Sequence, residues 1–229
     1  MKCPPYIGAP TDISIFCRGG PAGRPLLGEN MDTNEQEWEH LLGIKTAGRD
    51  DSHSDGEHHP YEPTDYCVLE RLANSGYLTK KNTLLDYGSG KGRVSFFLSY
   101  QTKCHAIGIE YDRRLYQKAL QNKETALSRR RVAFVLADAA LYTVPEEADT
   151  CFFFNPFALT TLKQVLQQLQ AAVRKKTRRL RLFFYYPDLA VCDFLQSLPY
   201  LTLENIIDCS DLFPEKEDER EKIWLYTLY

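Results

Sequence analysis

The chain has 229 residues, 43% of them hydrophobic and 26% charged, with a formal net charge of −3. That length holds one α/β core with an extension, or at most two small domains, and the charge balance excludes a molecule built as a whole around a polyanion. No apolar stretch approaches the roughly 18 residues of a membrane span, and the N-terminus lacks a signal-peptide apolar region. The seven cysteines, at 3, 17, 67, 104, 151, 192 and 209, form no C-x-x-C pair. Cys104, Cys151 and Cys192 fall inside apolar runs, so free thiols in a reducing cytoplasm are expected rather than disulfides or a zinc site.

Residues 1–60 differ from the rest, with turn clusters at 18–21 and 50–56. They are expected to form an N-terminal arm, mobile over its first thirty residues and able to act as a lid. One helix is expected within it, capped by Thr33 or Asn34 and burying Trp38, Leu41 and Leu42. His53, His58 and His59 lie close together, but no ligand spacing supports a metal, and none is expected. Residues 61–229 are then expected to form the main domain. Tyr61-Glu62-Pro63-Thr64 leads into a helix that Thr64 can cap and Gly76 stops; Tyr61, Glu62 and Thr64 are candidates for lining a substrate site.

From residue 82 the pattern alternates strand and helix. Thr83 to Tyr87 is an apolar run too short for a helix. It contains Asp86 and opens onto Gly88-Ser89-Gly90-Lys91-Gly92-Arg93, after which helical spacing begins. This reads as a strand, a tight turn and a helix start, the arrangement that builds nucleotide pockets in open α/β sheets. A second strand at 104–109 ends in Glu110, followed by Tyr111 and a helix at 113–127 with Leu115, Ala119, Leu120 and Leu127 as its apolar positions. A third strand at 132–136 leads to Asp138 and Ala139. The fourth, Thr150 to Phe154, is apolar on both faces as a central parallel strand must be, and ends in Asn155-Pro156-Phe157. An amphipathic helix over 159–173, a strand at 180–186 and a helix at 190–198 follow. The strands at 201–207 and 223–229 have no crossover helix between them and are expected to be antiparallel.

The glycine spacing is Gly88-x-Gly90-x-Gly92, not the G-x-G-x-x-G of dinucleotide folds, and an acid sits at the strand end. A carboxylate there would repel a pyrophosphate and suits a ligand bearing an ammonium group. Asp86, Glu110, Asp138 and Asn155 place one polar residue at the carboxyl end of each of the first four strands, where such sheets bind ligands. Glu110 lies 22 positions after Gly88, and its two oxygens can accept from both hydroxyls of a ribose.

Four segments, Thr83–Arg93, Gly108–Asp112, Leu136–Ala139 and Phe152–Phe157, resemble motifs I to IV of class I S-adenosylmethionine (SAM)-dependent methyltransferases, in order and in approximate spacing. The resemblance covers about residues 60–229. It implies a Rossmann-like α/β sheet, mostly parallel, ending in an antiparallel hairpin strand, with helices on both faces. It implies SAM as cofactor, with Asp86, Tyr87, Gly88, Ser89, Gly90, Gly92 and Arg93 at its methionine end, Glu110 at the ribose, and Tyr111, Asp138 and Ala139 at the adenine. Tyr61–Thr64 with the Gly-Lys-Gly-Arg run and the Asn-Pro-Phe ending look like a bacterial subgroup of these enzymes.

Asn155-Pro156-Phe157 stands where amino-methyltransferases carry Asn/Asp-Pro-Pro-aromatic, with one proline fewer. Three readings of it stay open: a catalytic amino-nitrogen site in which Phe157 meets the substrate, a site where Asn155 holds SAM or substrate only, or a strand-end turn. The expected activity is methyl transfer to an acceptor that the sequence does not identify, an amino or amide nitrogen on protein or nucleic acid, with a small molecule as the alternative. A nicotinamide-dependent oxidoreductase and a non-catalytic SAM-binding protein are the competing classes. The basic runs at 129–131 and 174–181 fall where helices end and strands begin, and read as solvated helix ends.

Overall fold

A computed structural model describes residues 31–50, 60–176, 178–215 and 218–229. Residues 1–30 and the three histidines of the 51–59 stretch lie outside the described residues. Seven strands form one sheet: β1 (Thr83–Tyr87), β2 (His105–Glu110), β3 (Val132–Leu136), β4 (Thr150–Phe154), β5 (Leu180–Tyr185), β6 (Leu201–Asp208) and β7 (Lys222–Leu228). Their order is β3-β2-β1-β4-β5-β7-β6. The first five pair in parallel, and β7 inserts antiparallel between β5 and β6. The expected Rossmann-like sheet with its antiparallel ending is therefore present. The chain runs outward from β1 to β3, then restarts at β4 on the other side, so the switch point lies between β1 and β4. A crevice opens at that point, beyond the carboxyl ends of the strands.

The helices are α1 (Met31–Leu42), α2 (Tyr66–Asn74), α3 (Arg93–Thr102), α4 (Arg113–Thr125), α5 (Leu159–Lys175) and α6 (Leu189–Ser197). One apolar layer joins Leu42, Leu69, Leu72, Phe96, Phe97 and Ala119 to one face of the sheet. The other joins Val165, Leu166, Leu169 and Leu195 to the opposite face. Each such side chain taken fully from water stabilises the fold by about 1.5–3 kcal/mol. The five described cysteines are free thiols, and no helix among the described residues is long and apolar enough to cross a membrane.

Two expectations need correction. In α4 the buried positions are Leu115, Ala119 and Asn122, while Leu120 and Leu127 face outward. The i, i+4, i+7 phase of the first three defines the inner face, and Leu120 lies off it. The helix of the arm also starts earlier than its expected cap. Thr33 and Asn34 lie inside α1 rather than at its cap. Trp38 packs edge-on to Phe97 at 4.9 Å and donates its indole N–H to Glu70 at 2.7 Å. Leu42 and Ile44 are buried in the core. The buried Asn122 amide accepts from Lys45 N at 2.8 Å and donates to Lys45 O at 3.1 Å and Lys91 O at 2.9 Å. The described part of the arm thus packs against α2, α3 and α4.

Some side chains of both basic runs bind neighbouring groups. Arg131 donates to Ser99 O, Arg178 to Ala148 O and Pro145 O, and Lys176 pairs with Glu146 at 2.9 Å.

Candidate active site

The crevice is a cleft of about 470 Å³ lined by residues from the strand ends, from 60–64 and from the start of α4. β1 delivers Asp86, after which Gly88, Gly90 and Gly92 turn the chain with φ of +73°, +55° and +93°. All three glycines are forced by packing as well as by the turn, Gly92 by the Phe134 ring 2.5 Å from where its Cβ would lie. A Cβ at Gly88 would lie 2.4 Å from Pro156 Cβ, and one at Gly90 would lie 2.1 Å from the Tyr61 ring. The glycine loop is therefore sandwiched by protein, with Pro156 on one side and Tyr61 on another. Only residues without a Cβ let those walls close.

Asp86 is buried, and its Oδ2 accepts from the Ser95 amide at 3.2 Å and the Ser95 hydroxyl at 2.7 Å. Burial pushes its carboxyl up to about 7, against the pull of those Ser95 hydrogen bonds, with the nearby Glu110 adding to the rise. Glu110 is raised as well, chiefly by burial. Its Oε2 accepts from Gly90 N at 2.7 Å and its Oε1 from Asp112 N at 2.8 Å. Each oxygen has a second lone pair, so the carboxylate can still take two further donors. Asp138 Oδ1 accepts from Ala140 N at 2.8 Å, which fixes the turn after β3 and holds Ala139 at the wall of the cleft. Tyr111 is 57% exposed beside it.

The structure thus brings Asp86, Gly88, Ser89, Glu110, Tyr111, Asp138, Ala139 and Asn155 around one cleft, with Tyr61, Glu62 and Thr64 closing it from the side. Others of the expected residues are placed differently. Tyr87 reaches the wall, but its ring is buried and stacks on Phe153 at 4.9 Å. Arg93 borders the cleft while its guanidinium, 2% exposed, turns to the N-terminal layer. Nε donates to the Thr46 hydroxyl at 2.7 Å, Nη1 to Thr64 O at 3.3 Å, and Nη2 to Glu35 and Glu39. Glu62 is exposed and pairs with Arg49 at 3.7 Å. Tyr61 donates its hydroxyl to Thr46 O at 2.6 Å and lies beneath Lys91 Nζ. Phe157 packs edge-on to Phe153 and is 8% exposed, so little of its ring is left for a ligand.

Asn155 has φ of +39°, and Tyr186 at the end of the adjacent strand has +56°. Asn155 Nδ2 donates to Tyr186 O at 2.6 Å. A left-handed conformation costs a bulky residue such as tyrosine about 1–3 kcal/mol and persists where its surroundings over-determine it. Tyr186, along with Asp50 and Phe154 at the wall of the cleft, was not singled out from sequence. Asp50 is brought there by backbone pairing with Tyr61, N–H to C=O at 3.0 Å in both directions, a pairing that no local pattern signals.

A SAM-type ligand fits this donor set. The cleft offers carboxylates at two strand ends for groups that donate. The Ser89 hydroxyl, on a residue at its wall, has no hydrogen-bond partner among the described residues, which leaves it for a ligand or a water to satisfy. Comparison with known proteins points the same way. Residues 78–200, just over half of the chain, match the family model described as methyltransferase domain. The chain belongs to the methyltransferase domain family. It is a SAM-dependent methyltransferase.

No curated protein sequence matches the chain significantly. Solved structures with the same fold include an RNA methyltransferase from Salinibacter ruber in complex with S-adenosyl-L-homocysteine. It is 19% identical with a TM-score of 0.50, over 73% of this chain and 92% of that one. A TehB-like SAM-dependent methyltransferase from Corynebacterium glutamicum is 18% identical with a TM-score of 0.50, over 86% and 97% of the two chains. The tRNA (uracil-54, C5)-methyltransferase of Pyrococcus abyssi, also in complex with S-adenosyl-L-homocysteine, is 16% identical with a TM-score of 0.51, over 74% and 40%. At these identities the likeness is one of fold.

Proposed function

We propose that this chain is a cytoplasmic enzyme that methylates an amino or amide nitrogen carried by a protein or a nucleic acid. The observation that carries this reading is the orientation of Asn155. Its Nδ2 donates to Tyr186 O at 2.6 Å, so the amide oxygen is the opposite end of the group, on a residue that lines the cleft. A hydrogen-bond acceptor at this strand end is what a substrate N–H requires.

In this reading Asp86 and the Gly88–Gly92 backbone receive the methionine end of SAM, Glu110 the ribose, and Asp138, Ala139 and Tyr111 the adenine. When bound, the cofactor supplies an electrophilic methyl group on a sulfonium. Asn155 and Pro156 orient the nitrogen for in-line attack, and positioning supplies most of the rate. Tyr61 and Thr64 shape the entrance, with the 31–50 layer behind them as a fixed cover. The likeness of Tyr61–Thr64 and Asn155–Phe157 to one bacterial subgroup supports the same grouping and names no acceptor.

The test is incubation with SAM tritiated on its methyl group and a cell lysate resolved into protein, RNA, DNA and small-molecule fractions. Label in protein or nucleic acid supports the reading. Label confined to small molecules replaces it with the small-molecule alternative, and tight SAM binding without label in any fraction identifies a binding protein.

A further inference from the structure

The carboxyl ends of β4 and β5 carry two of the three described non-glycine residues with positive φ, Asn155 and Tyr186, and these two are joined by a hydrogen bond. The Tyr186 side of the pair is held from outside the cleft. Its amide donates to Lys222 O at 3.1 Å, at the first residue of β7. Its hydroxyl donates to Asp218 Oδ2. Arg220 Nη2 donates to the same hydroxyl at 2.5 Å, and Arg220 Nη2 also pairs with Asp218 at 2.8 Å. The guanidinium lies over the Tyr186 ring, 4.2 Å from its centroid. A tyrosine in the left-handed region is thus gripped through its amide, its ring and its hydroxyl, all by the segment that leads into β7. Its ring also packs edge-on to Phe154 at the cleft wall, 6.3 Å between centroids, and its carbonyl accepts from Asn155.

We propose that Tyr186 is a positioning residue for methyl transfer: the Asp218–Arg220 clamp on its side chain fixes its carbonyl, and the carbonyl fixes the Asn155 amide. The consequence is chemical. An asparagine amide can flip, and only one of its two orientations presents an oxygen to a substrate N–H. A carbonyl held at 2.6 Å from Nδ2 selects that orientation before any substrate arrives. Burial, and then the bond to Asp218, push the Tyr186 hydroxyl up to about 12, so it remains a donor to the carboxylate across the neutral range. The segment between β6 and β7 thereby becomes part of the acceptor side of the enzyme, although Asp218 and Arg220 do not line the cleft. This inference rests on the amino-nitrogen reading of Asn155.

The test uses the full chain labelled with ¹⁵N, with the Asn155 side-chain amide signal assigned by its loss in Asn155→Asp. In Tyr186→Phe and in Arg220→Gln that signal is expected to shift and broaden, while calorimetric SAM affinity stays within about threefold of the wild type. Transfer of tritiated methyl to the lysate fraction that the wild type labels is expected to fall about tenfold in both variants. An Asn155 signal unmoved in both variants overturns the inference. A collapse of SAM affinity in parallel with the shift also overturns it, because that pattern marks general damage to the cleft. A wild type that labels nothing defeats the nitrogen-acceptor reading instead, and the amide signal then decides the Tyr186–Asn155 coupling by itself.

Discussion

The Nε of Arg93 donates to the Thr46 hydroxyl at 2.7 Å, across 47 positions of sequence. That bond reassigns the arginine of the glycine-rich run. Its neighbour Lys91 also turns from the cleft, donating to Ala47 O at 2.6 Å and Gly48 O at 3.2 Å. The loop therefore has two working sides: Gly88 and Ser89 border the cleft, and its two cations fasten the N-terminal layer.

Replacing Arg93 by methionine keeps most of the volume but takes the cation from Glu35 and Glu39 and the Nε donor from Thr46. Loss of one member of a buried ion pair costs on the order of 3 kcal/mol. Urea unfolding of Arg93→Met is expected to show that loss, and hydrogen exchange to show faster opening of α1. A variant as stable as the wild type would mean that α1 is held by its apolar contacts alone.

Asn122 satisfies three backbone groups with one amide. Asn122→Ala strands them in the interior, and a decrease of about 2 kcal/mol is expected. The same denaturant measurement checks it; a change below about 0.5 kcal/mol would show that water replaces the amide.

Asp86 predicts a pH dependence. Its carboxyl titrates near 7 when folded against 3.8 in the unfolded chain, so between those values the folded protein retains a proton that the unfolded chain has lost. Stability then falls as pH rises from about 4 to 7, by a few kcal/mol at most, and levels off above that. Asp86→Asn should flatten the curve and be the more stable protein at about pH 8. A ligand ammonium pairs with the charged form, so SAM affinity of the wild type is expected to rise through pH 7, with proton release below it. Calorimetry in buffers of different ionisation enthalpy reads both; affinity constant from about pH 6 to 8 would count against an ammonium at Asp86.

Glu110→Ala removes the acceptor for Gly90 N and Asp112 N along with both oxygens offered to a ribose. SAM affinity is expected to drop more than about tenfold, as loss of a charge-assisted pair implies. Unchanged binding in the same titration would place the sugar elsewhere.

Asn155→Ala is expected to lower methyl transfer by roughly a hundredfold while changing SAM affinity little, since positioning is its role. Equal losses in both measurements would assign Asn155 to the cofactor.

The strands were legible because central parallel strands are short, apolar and bounded by turn residues: Thr150–Phe154 needs no tertiary information to be recognised. The acids at the strand ends were legible because the sheet itself dictates where ligands sit. The direction of the Arg93 guanidinium was not legible, for a physical reason. Sequence spacing puts a residue beside the glycine turn but does not say to which side its long side chain reaches. The packing of the N-terminal layer was legible only in part: Trp38 and Leu42 show helical spacing, while the ties through Asn122, Lys91 and Arg93 are polar and long-range and leave no periodicity. Tyr186 was invisible for a related reason, since nothing in a Tyr-Tyr-Pro run announces a positive φ.

The insertion of β7 between β5 and β6 imposes an order on assembly. As the chain emerges from a ribosome, β6 is made before β7, its partner among the described strands, and β5 is left with a bare edge at the same moment. Until β7 fills the gap, two unsatisfied backbone rims face outward, each a template for a neighbouring chain. Amino-acid changes that slow this last insertion should therefore show up as lost yield and aggregation during expression, even where the finished protein is as stable as before.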